Sequence, residues 1–279
     1  MTQETSIYFR RSAQLPHVEW RRADHSSACY HTHTHDEFSV GVIDAGTAIY
    51  RNRQQEKIIH QGVTVMVNPE EAHSCNPDAG QRWSYRMLFI DRVWMSQLQT
   101  EPSGLTGRYF SAFAFTSVDK PWVYQHFDDV FNTLEQDPNP LATDETLIRF
   151  LINDCFESQD FQPEKLRPEG HLERAKELIM DQLNDNVTLQ SIADVSGLSP
   201  YHLIRRFKQT YGQTPHAFQL DQRINRAKQL LKLNHPIVEV AHQLGFSDQS
   251  HFQRHFKMRH AVTPKVYQRL NRTEPPTLR

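Results

Sequence analysis

The stretch Gly197–Lys208, GLSPYHLIRRFK, returns in altered form as GFSDQSHFQRHFK at Gly245–Lys257. Each copy runs on to a Thr-Pro pair, Thr214-Pro215 and Thr263-Pro264. Phe207 and Phe256 stand 49 positions apart, as do His202 and His251, whereas Ala193 and Ala241 stand 48 apart, so the second copy carries one extra residue. A near-repeat at this period marks one supersecondary unit used twice.

Each unit reads as helix, tight turn, helix. Thr188 offers an N-cap to LQSIADVSG, whose Ile192, Ala193 and Val195 are expected to face inward. Gly197 can take the left-handed conformation of a sharp turn, Ser199 caps the next helix, and Pro200 occupies its first position, where a missing N–H costs nothing. Leu203 and Phe207, four apart, anchor that helix in a core. Pro236 opens the matching short helix, Gly245 makes the turn, Ser247 or Asp248 caps the last long helix, and Phe252 and Phe256 anchor it. Between the copies, Thr214-Pro215 starts a helix to about Leu233. Its roughly 19 residues span about 28 Å, the scale of the ~34 Å between successive major grooves.

In a helix-turn-helix, the start of the second helix enters the groove. That makes Tyr201, Ile204 and Arg205 candidates for base contact in the first unit, and Gln249, Ser250, Gln253 and Arg254 in the second. Arg206, Lys208 and Lys257 suit the phosphate backbone. Charge agrees: residues 171–279 hold 16 Lys and Arg against 9 Asp and Glu, a balance of +7 in a chain whose net charge is −2. A basic half beside an acidic one implies that the C-terminal part meets a polyanion, double-stranded DNA.

Upstream the grammar changes. Residues 37–90 are short β-rich runs broken by Gly46, Gly62 and Asn68-Pro69, which predicts an antiparallel sandwich or barrel. From Asp119, Trp122, Val123, Phe127, Val130, Phe131 and Leu134 recur at helical spacing, and Leu147, Ile148, Leu151, Ile152, Cys155 and Phe156 repeat the pattern beyond a Pro-rich turn. A helical hairpin is expected, packed on the barrel or on a second subunit. The polar segment 157–170 reads as a linker. The division is 1–156 for the β-rich part with its hairpin, 157–170 for the linker and 171–279 for the helical part, an α+β fold class.

At 279 residues, with 38% of them hydrophobic, the chain can bury real cores. No apolar run approaches the ~18 residues of a membrane span, and the N-terminus lacks the apolar core of a signal peptide, so a cytoplasmic protein is expected. The three cysteines, Cys29, Cys75 and Cys155, lack a C-x-x-C spacing and read as buried reduced thiols.

The order IADVSGLSPYHLIRRFKQTYGQTP, INRAKQLL, IVEVAHQLGFSDQSHFQRHFK, TP resembles the DNA-binding domain of the AraC/XylS family of bacterial transcription regulators. The resemblance covers about 100 of the 279 residues. It implies base contact by Tyr201, Ile204, Arg205, Gln249, Gln253 and Arg254. It also implies an effector-responsive regulator, an activator working with RNA polymerase, and a homodimer built through the helices beside the sensing barrel. Ala261 departs from the family pattern by standing where a glycine is usual, at a cost of about 1 kcal/mol if that cap is left-handed. The first half resembles the cupin-like sensing barrel of the same family through His33-Thr34-His35-Asp36, Gly46, Gly62 and Asn68–His73.

The string Tyr30–Glu37, YHTHTHDE, is the remaining chemical signal. On a strand, His31, His33 and His35 would share one face, and His73 could join them. Such a set could be neutral histidines hydrogen-bonding an effector, strand-end histidines with no ligand, or a three-His metal site. Enzymatic cupins place a Glu where Ser39 stands here, although Glu37 lies close. The first reading is taken forward: His33, His35, His73, Tyr85 and Arg86 form the candidate effector site, Arg86 as a bidentate grip on a carboxylate. No catalytic residue, metal or cofactor is assigned.

Overall fold

The structure is a computed structural model and describes residues 7–12, 15–52, 55–100, 110–114, 116–136, 140–156, 170–185 and 187–270. Two antiparallel sheets form the first half. The larger contains β1 (Ile7–Arg11), β2 (Val18–Ser26), β3 (Phe38–Ala45), β6 (Thr64–Val67), β8 (Trp83–Ile90) and β9 (Ser117–Val118), in the order β1-β2-β8-β3-β6-β9. The smaller contains β4 (Thr47–Asn52), β5 (Gln55–His60) and β7 (His73–Pro77), in the order β5-β4-β7.

Period-two alternation divides the larger sheet into two faces. On β8, Leu88 and Ile90 join a core under the helices, whereas Trp83, Tyr85, Met87 and Phe89 turn toward the barrel interior. On β2, Val18 and Trp20 face the helices and Arg21 faces inward. On β3, Gly41 is where the sheet and Met87 approach closest: an added Cβ would lie 2.0 Å from the Met87 sulfur and 2.4 Å from the Arg86 carbonyl. Only glycine fits there. The reading from residue 37 onward therefore missed β1 and β2, and with them one wall of the barrel.

The helical layer begins with α1 (Arg92–Thr100), which the sequence reading did not foresee. The hairpin is α2 (Pro121–Glu135) and α3 (Pro140–Phe150), the latter passing into a π-helical turn over Leu151–Phe156. Val123, Phe127, Val130, Phe131, Leu134, Leu147, Phe150 and Leu151 pack in one cluster with Val40, Val42, Leu88 and Ile90 of the barrel. The apolar stripes are thus used on the barrel itself. Trp122, expected on that stripe, is exposed.

The second half contains α4 (Gly170–Asp181), α5 (Leu189–Ser196), α6 (Pro200–Tyr211), α7 (Pro215–Lys232), α8 (Ile237–Gln243), α9 (Gln249–His260) and α10 (Pro264–Leu270). Residues 157–169 of the expected linker lie outside the described residues. Capping follows the sequence: the Thr188, Ser199 and Thr214 hydroxyls accept from the N–H groups of Ser191, His202 and Ala217, and the Asp248 carboxylate accepts from His251. Pro236 is the cap residue of α8 rather than its first turn. At Gly245 both the backbone and the space demand glycine: φ is +70° and an added Cβ would meet the Asn184 carbonyl at 2.2 Å. Ala261 does sit in the left-handed cap of α9, at φ 58°.

Two cores hold the units. Leu203 and Phe207 pack with Ile192, Ala193, Leu172 and Phe218 in one, and Phe252 and Phe256 with Ile224, Leu231, Val240 and Tyr267 in the other. Val195, expected inward, is exposed. Phe9 of β1 joins the second core, so the barrel contributes to the packing around the second unit.

Candidate functional site

The barrel interior holds a cavity of about 60 Å³ between the two sheets. Its polar lining includes Arg21, Tyr30, His33, His35, His73 and Tyr85, with Tyr50 and Cys75 beside them, and its apolar lining includes Ile43, Val65, Val67, Trp83 and Met87. Four of the five expected effector residues therefore converge. Arg86 does not. It neighbours Tyr85 on one strand, so the pleat sends it to the opposite face. There it pairs with Asp44 at 2.7 Å and Asp128 at 2.5 Å and lies over the Phe131 ring. The cation at the cavity is Arg21, on a strand the sequence reading left unassigned. The signal for it was the alternation Val18, Trp20 against Glu19, Arg21, Ala23.

The histidine segment is an irregular stretch carrying a single β-bridge, His33 to His73. Within it His33 and His35 reach the cavity, while His31 is exposed and stays out. The ring centroids of His33 and His73 are 4.5 Å apart, and those of His35 and His73 are 4.8 Å apart. His260 of α9 adds a ring 6.4 Å from His33, a member no reading of the first half could supply.

Hydrogen bonding sets the tautomers. The Nδ1 atoms of His33, His35 and His73 lie 2.8, 2.7 and 2.9 Å from the carbonyl oxygens of His31, Glu37 and Glu71. A carbonyl only accepts, so each Nδ1 carries the proton and each Nε2 is left as an acceptor. Burial, then the neighbouring histidines, push the His33 group well below the ordinary histidine value and lower His35 to about 3; burial also lowers His73. Three neutral imidazoles thus offer acceptor lone pairs at neutral pH. Outward-donating Nδ1 atoms also suit metal ligands. However, among the described residues no group of three or more His, Cys, Asp or Glu is placed to hold an ion. Ser39 Oγ lies 3.3 Å from His35 Nε2, and Glu37 is turned away to Lys228 and Lys232.

The same segment clasps the helical half. Between the two cavity histidines, Thr34 points the other way. Its N–H and hydroxyl both donate to Asp221 Oδ2 at 2.7 Å, and Arg259 Nε donates to Asp221 Oδ1 at 3.0 Å. Gln222 and Asn225 donate to the Thr34 hydroxyl oxygen. Lys228 Nζ reaches Glu37 at 3.0 Å, and Gln229 donates to Asp36. Burial opposes ionising Glu37, yet Lys228 and Lys232 hold its carboxyl well below the usual range.

On α6, Tyr201 is 71% exposed and Ile204 38%, and Arg205, Arg206 and Lys208 are exposed beside them. On α9, Ser250, Arg254 and Lys257 are exposed and Gln249 and Gln253 half-buried. Ser250, Gln253, Arg254 and Lys257 line a cleft of about 480 Å³ whose other wall is Ala28 and Cys29. The His31 N–H donates to the Met258 carbonyl at 3.1 Å. Cys29 is exposed at this cleft, contrary to the expectation of three buried thiols; Cys75 is half-buried and Cys155 buried.

Residues 15–151 match the model of the AraC-like ligand binding domain, and residues 192–270 match a helix-turn-helix domain model. The chain belongs to the AraC family of transcription regulators. It is 28% identical over 239 residues to YbfI of Bacillus subtilis, an uncharacterised HTH-type transcriptional regulator, covering 84% of this chain and 86% of that one. It is 26% identical over 230 residues to the arabinose operon regulatory protein of Escherichia coli, covering 80% and 77%. In fold it is similar to ToxT of Vibrio cholerae crystallised with an unsaturated fatty acid, with a TM-score of 0.57 at 15% identity, covering 97% of this chain and 98% of that one. Like its AraC-family relatives, it is a ligand-responsive, sequence-specific DNA-binding regulator with a sensing barrel and a helix-turn-helix domain. No described helix is long and apolar enough to cross a membrane.

Proposed function

We propose that the cavity of His33, His35, His73 and Tyr85 senses a small molecule and that the segment 31–37 relays its occupancy to the DNA-binding half. The observation that carries this is the alternation at His33-Thr34-His35: two side chains line the cavity while the one between them is bonded to Asp221 of α7. A ligand that draws on the imidazoles acts directly on the segment that holds α7 and α9.

In the same reading, Tyr201, Ile204 and Arg205 of α6 and Gln249, Ser250, Gln253 and Arg254 of α9 face bases, and Arg206, Lys208 and Lys257 hold phosphates. Supporting this are the exposure of all of them except the half-buried Gln249 and Gln253, and the +7 balance of residues 171–279. The domain division at 157–170 lies between the two family matches. In this reading the protein acts in the cytoplasm as an activator and homodimer that engages RNA polymerase, without catalysis; its family and its regulator relatives support these parts. The wall of Ala28, Cys29 and His31 beside α9 limits the second unit, so release of that wall raises affinity.

Genome-wide footprinting with and without candidate effectors tests the proposal. Footprints that strengthen or move with an effector, and cease to respond in His33→Ala and His73→Ala, are expected. Footprints identical under every condition in wild type would sink it.

A further inference from the structure

Among the described residues Arg21 is the one strong cation lining the cavity, and it is 6% exposed. Its Nε has no hydrogen-bond partner, and its Nη2 donates to the Tyr85 hydroxyl. The guanidinium carbon lies 5.0, 4.7 and 5.1 Å from the ring centres of Phe9, Tyr30 and Tyr85. The nearest acid on its face of β2 is Glu19, which is committed to Lys232 at 3.1 Å and Arg11 at 3.6 Å. A buried guanidinium held by ring faces and one phenol, with Glu19 acting on it only through space, has no carboxylate hydrogen-bonded to it among the described residues and keeps a donor over. Beside it the Tyr30 and Tyr85 hydroxyls meet at 2.5 Å.

The other polar part of the lining has opposite needs. The Nε2 lone pairs of His33 and His73 accept and cannot donate, because both Nδ1 protons are committed to carbonyls. A complementary ligand therefore carries an anionic acceptor at one end and a hydroxyl donor at the other. Size narrows it further. A cavity of about 60 Å³ is a small one, with room for more than a single water, and suits a short-chain molecule.

We propose that the cavity binds a short-chain hydroxycarboxylate, its carboxylate held by Arg21 and by the one hydroxyl proton that the Tyr30–Tyr85 pair leaves free, and its hydroxyl donating to His33 or His73. This rests on the sensing role given to the cavity above and names the class of molecule sensed. Arg21 is the specificity-determining residue, since it alone supplies the charge.

Calorimetry and thermal shift on the full chain decide it, with glycolate and lactate as probes and lactamide, 1,2-propanediol and propionate as controls of matching size. Glycolate or lactate is expected to bind. The amide and diol, which lack the charge, and propionate, which lacks the hydroxyl, are each expected to bind roughly 10- to 100-fold more weakly. Arg21→Gln loses the preference for acid over amide. The acid–amide comparison on wild-type protein stands even if that variant does not fold. Amide or diol binding as tight as acid overturns the proposal, as does undiminished acid binding by folded Arg21→Gln, or no binding by either hydroxy acid at about 10 mM. Selection of DNA from random duplexes by the same preparation separates the failures. Intact DNA selection with no acid binding removes the ligand class alone, and absent DNA selection strikes at the regulator itself.

Discussion

Arg205 and Arg254 each stand about one turn into a recognition helix, away from the phenylalanines that anchor it, and both are exposed. A guanidinium fork in that position matches guanine O6 and N7. Replacing either by Ala is expected to cost about 1–3 kcal/mol and to relax preference at a few base pairs. Lys208→Ala should weaken all sequences alike and flatten the salt dependence. If the two units sit in separate grooves as proposed, the two arginine effects should map about 10 base pairs apart. Binding selection over randomised duplexes for each variant reads this out; unchanged motifs, or changes at the same base pairs, would rule out the two-groove arrangement. Of the two, Arg205 carries the firmer expectation, since Arg254 shares a cleft with Ala28 and Cys29.

At the scale of elements, the decisive pairing is the histidine segment against α7. Asp221 is fully buried, and Thr34 and Arg259 supply its three donors. Thr34→Val keeps the shape and deletes the hydroxyl. It removes one donor from the Asp221 carboxylate and leaves the Gln222 and Asn225 amides without their acceptor, a loss of about 1–3 kcal/mol. The cost falls on the contact between halves, so two readings should move together. Thermal unfolding should come at lower temperature, and effector-free DNA affinity, measured by gel shift, should rise as α9 parts from the Ala28–His31 wall. A variant that is less stable but binds DNA no more tightly would show that the clasp is structural and not regulatory.

At the scale of the molecule, the barrel covers part of what it controls. Phe9 lies in the core of the second helix-turn-helix unit and His31 bonds α9. Residues 171–279 alone should therefore bind DNA at least as tightly as the full chain at low salt, with affinity falling steeply as counterions are released. Anisotropy titrations of both proteins at two salt concentrations check this, with circular dichroism to establish that the fragment is folded. A folded fragment that fails to bind at low salt would contradict the assignment of the DNA-binding half. The helices of the hairpin bear on assembly in a different way. Their stripes pack against Val40, Val42, Leu88 and Ile90, and the proposed homodimer would draw on faces of the same helices that stay exposed, such as that around Trp122.

What the sequence determined by itself was set by local rules. The two helix-turn-helix units, their caps at Thr188, Ser199 and Thr214, a cap at Ser247 or Asp248 that the structure assigns to Asp248, the turn at Gly245 and the anchors Phe207 and Phe256 follow from spacing and residue type within a dozen positions. The left-handed cap at Ala261 was expected from the family resemblance instead, because a glycine is usual there. What only the tertiary structure decided was which side chains meet. Tyr85 and Arg86 are neighbours in the chain, yet the pleat puts one in the cavity and the other against Asp44 and Asp128. Arg21 reaches the cavity only because β2 pairs with β8, and His260 joins the histidines only because α9 packs across the barrel. Strand pairing and domain docking bring together residues tens to hundreds of positions apart, and no local periodicity encodes that. The caps and the phenylalanine anchors were therefore readable in the sequence, whereas the exposure of Val195 and Trp122, the charge inside the cavity and the clasp on Asp221 were not.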